Sequence, residues 1–179
     1  MSAMIVGIMS DSHGDAAATA RAVALLKSLG AEHYIHCGDV CGENVLAEMA
    51  GYAFTFVWGN CDDVSPAIRK YVEGLGLRWP QRDTRIELAG KRIAVYHGHE
   101  PGFATAAGGN GLDYLFYGHT HRYADTRCGG CRMINPGALY RARPRTCARL
   151  DLVSGALRVL RIDTGRAVPL EDTAMTPGV

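Results

Sequence analysis

The sequence predicts an α/β protein whose first half carries a parallel sheet and whose second half is richer in strands. Three observations carry that expectation. Short apolar runs stop at turns built from Gly, Asp, Asn and Ser; helical stretches separate the first three of these runs; and after residue 74 the runs follow one another closely, as in hairpins. In order along the chain, Met4–Met9 is an apolar run too short for a helix, and it stops at Ser10-Asp11-Ser12-His13-Gly14, so it reads as a buried strand feeding a loop. From Asp15 to Leu29 the chain is Ala-rich with Val23, Leu25, Leu26 and Leu29 apolar, Asp15 is placed to cap a helix and Gly30 to stop it. The unit repeats: a strand over Tyr34–Cys37 ends at Gly38-Asp39, a helix follows over Glu43–Ala50, and a third strand over Ala53–Trp58 ends at Gly59-Asn60. Three such units imply parallel strands with right-handed crossovers. A helix over Ser65–Gly74 then gives way to a hairpin, Arg85–Leu88 with Lys91–Tyr96, ending at His97-Gly98-His99. A Gly- and Ala-rich loop, Pro101–Gly111, has room for a short helix, and Tyr114–Tyr117 ends at Gly118-His119-Thr120-His121. The remainder reads as strands: Tyr123–Arg127 turning at Cys128-Gly129-Gly130-Cys131 into Met133-Ile134, then Thr146–Leu152 turning at Ser154-Gly155 into Leu157–Asp163.

The 179 residues, 47% hydrophobic, suit one domain over 1–164 with a full core, followed by a C-terminal tail, 165–179, of little period. Nineteen Lys and Arg against eighteen Asp and Glu give a net charge of +1, which excludes a generic polyanion binder and a disordered chain. No segment reaches the apolar length of a membrane span and no secretory signal is present, so a soluble cytoplasmic protein is expected, with the cysteines at 37, 41, 61, 128, 131 and 147 as free thiols.

Five of the seven histidines lie in short polar clusters that contain Gly or Asp. Five predicted strands end in Gly-adjacent clusters: Asp11/His13, Asp39, Asn60, His97/His99 and His119/His121. In α/β proteins the C-terminal strand edge is where ligands bind, and consecutive parallel strands bring these tips side by side. The glycines let the backbone turn sharply and approach a ligand closely. Each fragment alone has an ordinary reading: Asp-Ser-His-Gly as a capped strand-to-helix turn, Gly-Asp and Gly-Asn as turns, Gly-His-Thr-His as a hairpin corner. The ordered set of five does not, and it makes a mixed nitrogen and oxygen donor set that suits Mn, Fe, Zn, Co or Ni better than Ca or Mg.

In that order, Asp11-Ser12-His13, Gly38-Asp39, Gly59-Asn60, His97 and Gly118-His119-Thr120-His121 resemble the motifs of the calcineurin-like metallophosphoesterase superfamily, over residues 4 to 163. Small size, Gly59-Asn60-Cys61-Asp62 and Asn135-Pro136-Gly137 look like its small bacterial and archaeal phosphodiesterase branch, which includes the metallophosphoesterase-fold subunit of eukaryotic retromer. The resemblance implies a four-layer α/β/β/α sandwich of two mixed sheets flanked by helices. It implies one metal held by Asp11, His13, Asp39 and His121 and a second by Asp39, Asn60, His97 and His119, with Asp39 bridging. Mn²⁺ is the first expectation for both ions, with Zn²⁺, Ni²⁺, Fe²⁺ and Co²⁺ as alternatives.

Two divalent ions in such a site lower the pKa of a bridging water, supply hydroxide near neutral pH and bind the phosphoryl oxygens. With Asp11, Asp39 and a hydroxide they leave a charge of about +1, which matches a phosphodiester monoanion. The expected function is therefore phosphodiester hydrolysis on a small phosphate-ester substrate, with a phosphomonoesterase or a non-catalytic protein-interaction scaffold of the same fold as alternatives. Many members of the superfamily have His after Gly-Asn where this chain has Cys61, and a thiol is a poor acid. His99, on the same strand-end loop as His97, is the substitute candidate for protonating the leaving group, and Cys61 is carried with it and with Asp39 as a catalytic candidate.

Arg141, Arg143, Arg145 and Arg149 form a basic run, read here chiefly as an exposed loop and strand since no aromatic residues interleave it. Nucleic acid is accordingly not the expected partner, and neither is a membrane; a homo-oligomer is open. Cys128-Gly129-Gly130-Cys131 reads as a hairpin turn in preference to a zinc or disulfide site. Trp58 and Trp79 read as core or edge residues, and His33 and His36 have no assigned role.

Overall fold

A computed structural model describes residues 3–81, 84–109 and 111–170. Its elements in chain order are β1 (Ile5–Met9), α1 (Ala16–Ser28), β2 (His33–His36), α2 (Glu43–Met49), β3 (Phe54–Phe56), α3 (Pro66–Gly74), β4 (Thr84–Leu88), β5 (Lys91–Val95), α4 (Phe103–Gly108), β6 (Tyr114–Phe116), β7 (Ala124–Cys128), β8 (Cys131–Asn135), β9 (Thr146–Asp151) and β10 (Leu157–Arg161). Every expected element is present, and ends differ by at most two residues because strand tips pass into loops that make their own hydrogen bonds. Asp15 caps α1 by accepting from the Ala18 N–H at 2.9 Å, and Ser65 caps α3 ahead of Pro66.

The strands form two sheets, ordered β10-β9-β1-β2-β3 and β4-β5-β6-β8-β7. β1, β2 and β3 are parallel in the first, as are β5, β6 and β8 in the second, while β9, β10, β4 and β7 run antiparallel to their neighbours. Strand periodicity sorts the side chains into layers. Val6, Ile8, Ile35 and Val57 of the first sheet meet Ile93, Val95, Phe116 and Ile134 of the second between the sheets. The opposite face of the first sheet, with Met9, Tyr34 and Phe56, packs under α1, α2 and α3 through Ala22, Leu26, Val45, Leu46, Met49 and Val72. Ala94, Leu115 and Met133 on the outer face of the second sheet pack against Ala106 and Ala107 of α4. The result is the four-layer α/β/β/α sandwich.

β1–β3 and β5–β6 belong to different sheets, so the strand ends expected to converge do so across the gap between the sheets. Of the segment set apart as a tail, residues 165–168 return against β10, with the Val168 N–H on Val159 O at 2.9 Å, and 171–179 lie outside the described residues. Cys128 and Cys131 face each other across the β7–β8 turn as free thiols. Among the described residues no helix is long and apolar enough to cross a membrane.

Candidate metal centre

The donors stand on loops that leave the ends of β1, β2, β3, β5 and β6, and the backbone there is unusual. Asp11, His13, Asp39, His119 and His121 all have positive φ, between 42° and 66°. Non-glycine residues seldom adopt this region, and a cluster of them marks backbone held for a purpose other than stability. Two glycines make the convergence feasible. A Cβ on Gly59 would collide with Asp39 Oδ1, and one on Gly118 would collide with Ser10 Oγ.

All seven expected donors come together. Asp11, His13 and His121 form one group, with His121 Nε2 3.3 Å from both Asp11 Oδ1 and His13 Nε2. His97 Nε2 lies 3.1 Å from Asn60 Oδ1 and 3.3 Å from His119 Nδ1, which forms the second. Asp39 stands between them: its Oδ2 is 3.4 Å from His13 Nε2 and 3.4 Å from His97 Nε2, while its Oδ1 accepts the Cys61 N–H at 2.9 Å. Burial pushes the Asp39 carboxyl up, but the His97 imidazole, the Cys61 N–H and His13 outweigh it and hold the group well below the usual carboxylate range. Burial dominates at Asp11 and raises it.

This arrangement fits divalent cations. Asp11 Oδ1 is buried and receives no hydrogen bond, a costly state for a carboxylate oxygen without a cation. His97 Nδ1 donates to Cys37 O at 2.8 Å, so in the neutral imidazole the Nε2 lone pair points at the cluster, the arrangement usual for a metal-ligating histidine. Four imidazoles, an amide and two carboxylates make a set of nitrogen and oxygen donors suited to transition ions.

The model of the calcineurin-like phosphoesterase superfamily domain matches residues 4–155. The chain belongs to this superfamily. It is 27% identical over 138 residues to phosphodiesterase MJ0936 of Methanocaldococcus jannaschii, covering 75% of this chain and 83% of the relative. Phosphodiesterase YfcE of Escherichia coli K12 is 30% identical over 147 residues, 73% of this chain and 76% of the relative. The solved structure of YfcE superposes with a TM-score of 0.72, at 25% identity, over 93% of this chain and 97% of that one. Vps29 from Entamoeba histolytica, complexed with zinc, shares the fold, with a TM-score of 0.62 at 18% identity over 87% of this chain and 90% of that one. The resemblance to the superfamily drawn from the motifs holds.

In this calcineurin-like chain the two further candidates sit beside the donors. The His99 ring lies 5.3 Å from the His97 ring and 6.1 Å from that of His119, outside both groups and partly exposed. Cys61 is exposed, its Sγ takes the Asn60 Nδ2 hydrogen at 3.3 Å, and it forms a third potential donor group with His13 and Asp39. Desolvation and the nearby Asp39 carboxylate both push the Cys61 thiol up.

Several residues that position the centre were missed from sequence. Glu100 accepts the N–H groups of His97 and Gly98 at 2.8 and 2.7 Å and pins that loop. Asp62 accepts from Cys41 N and Gly59 N, both at 2.7 Å, and ties the β2 and β3 ends together. Asn135 donates to Gly118 O at 2.8 Å and accepts from Gly137 N, which gives the Asn-Pro-Gly motif a structural role. His36 is fully buried on the helix side of the first sheet: its Nδ1 accepts the Gly38 N–H, so Nε2 donates to Ser12 Oγ at 2.7 Å, next to Thr19 of α1. Its alternation with Tyr34 is the signal that could have placed it facing α1. The arginine run divides: Arg145 pairs with Asp15 at 3.0 Å and Arg149 Nε donates to Leu29 O, whereas Arg141 and Arg143 line a cleft beside His121.

Proposed function

We propose that this phosphoesterase-family protein hydrolyses phosphodiesters at a dinuclear centre made by Asp11, His13, Asp39, Asn60, His97, His119 and His121. The observation that carries the reading is the placement of Asp39 Oδ2 at 3.4 Å from an imidazole nitrogen of each donor group, which suits a carboxylate shared by two ions. The names of MJ0936 and YfcE, both phosphodiesterases, support the diester preference. Two divalent ions, Mn²⁺ first among the candidates, would supply a water activated as nucleophile near neutral pH and neutralise the phosphoryl oxygens.

The chain's own residues do the rest. Asp39 and Asp11 provide the negative charge that holds the cations, and the Cys37 carbonyl fixes the tautomer that His97 needs. Glu100, Asp62 and Asn135 lock three of the loops before substrate arrives, so little reorganisation is left for the reacting complex. His99, near the second group and open to solvent, is placed to protonate a leaving oxygen.

The protein supplied with Mn²⁺ is expected to cleave bis(p-nitrophenyl) phosphate faster than p-nitrophenyl phosphate. A faster monoesterase reaction would support the phosphomonoesterase alternative. No turnover of either with Mn²⁺, Ni²⁺, Zn²⁺, Fe²⁺ or Co²⁺ would leave the scaffold alternative, against which the complete donor set argues.

A further inference from the structure

We propose that the cleft between the loop after β6 and the loop around residues 140–144 is a second phosphate-binding subsite, so that the natural substrate is a small diester carrying a further phosphate on one ester arm. This rests on the phosphodiesterase reading and names the substrate class for the same centre. The cleft has a volume of about 460 Å³, and Arg122, Arg141 and Arg143 line it together with Thr120, His121 and Pro144. His121 belongs to both places: its ring borders the cleft, and its Nε2 is 3.3 Å from Asp11 Oδ1. A group in the cleft is therefore directly adjacent to a phosphoryl group at the metals.

Among the described residues the charge in the cleft is uncompensated. No acidic side chain among the described residues lines it, and none of the described acidic groups forms an ion pair with Arg122, Arg141 or Arg143. Arg132, Arg145 and Arg161, by contrast, each have an aspartate partner. Arg141 is also held in place: its backbone has φ +48°, and its guanidinium lies 5.0 Å from the centre of the Tyr140 ring, which in turn packs 5.4 Å from the ring of His13. Three guanidiniums, one of them held over Tyr140 beside the centre, match the oxygens of a phosphate through forked hydrogen bonds. The volume takes a phosphate with part of the arm that carries it. A nucleic-acid polymer would call for a basic stripe with aromatic faces along it, and the charge here is confined to one cleft.

The test compares the dinucleotide dApdA with its 5′-phosphorylated form, pdApdA, using the full chain loaded with Mn²⁺. The wild type is expected to show kcat/KM higher for pdApdA by about tenfold or more, a ratio that falls to about 1–2 in Arg141→Ala/Arg143→Ala and is largely kept in Arg141→Lys/Arg143→Lys. Binding of pdApdA by calorimetry is read in parallel, with a Kd raised about tenfold in the alanine variant. An unchanged ratio and Kd in that variant would overturn the subsite, as would a 20-nucleotide single strand binding more tightly than pdApdA with a steep salt dependence. Arginine-dependent binding of pdApdA without turnover of any diester would uphold the subsite and overturn the phosphodiesterase reading, so the two fail separately.

Discussion

Gly59 is where the tightest approach in the centre can be tested. A Cβ there would overlap Asp39 Oδ1 and stand 2.5 Å from the Asp39 backbone nitrogen and 2.8 Å from its carboxyl carbon, so Gly59→Ala forces the carboxylate to move by roughly an ångström. Overpacking of this kind costs about 1–3 kcal/mol. The shift also breaks the 2.9 Å bond from the Cys61 N–H to Asp39 Oδ1, worth about 1.5–3 kcal/mol because the acceptor is charged. A combined loss of about 3 kcal/mol lowers Tm by roughly 6–12 °C in a chain of this size. Differential scanning fluorimetry of metal-free protein reads this directly. Titrating Mn²⁺ then reads the centre: at 100 times Kd the wild type gains about 2.7 kcal/mol, a rise of roughly 5–11 °C, and the variant is expected to lose most of it because the shared oxygen is displaced. A variant that melts within about 1 °C of wild type and keeps the full Mn²⁺ rise would refute the reasoning.

Asp39→Asn retains an acceptor for the Cys61 N–H but removes the shared charge, so bound Mn²⁺ by elemental analysis and kcat should both fall, kcat by about 100-fold or more. Cys61→Ser should change turnover of an activated aryl diester by less than about tenfold, since a good leaving group needs no acid; a larger loss with normal metal content would assign Cys61 a direct role. Burial holds His36 down at about 3 in the folded chain against about 6.5 unfolded. The unfolded state therefore binds the extra proton, and acidification from pH 6.5 toward 3 removes up to about 5 kcal/mol of stability that is fully present above pH 6.5. Urea melts across that range should show a shallower pH slope for His36→Gln than for wild type, and coincident slopes would contradict the assignment.

The donors were legible because each is announced locally, by a run of apolar residues ending at Gly, Asp or His. Asp11, Asp39 and His97 could be placed at strand tips without any knowledge of what lies opposite. Their supports were not legible, since Asp62 reaches Cys41 across 21 residues and His36 reaches Ser12 across 24. Such pairs leave no periodic trace; only the fold creates them. The division into two sheets was legible only through the resemblance of the motifs, because a strand's own residues do not name the strand it pairs with. The arginines misled in a simpler way: four similar residues in one run have different tasks, Arg145 and Arg149 fastening α1 and its end while Arg141 and Arg143 face the cleft.

The split of the centre across the sandwich has a further consequence. Asp11, His13, Asp39 and Asn60 ride on one sheet and His97, His119 and His121 on the other, so the span between them is set by the apolar filling between the sheets, Ile8, Ile35, Ile93 and Phe116 among it. That apolar filling works as a spacer. Trimming or enlarging it is therefore expected to shift one half of the donor set against the other, so residues of the interior bear on the fit of any ion the donors hold.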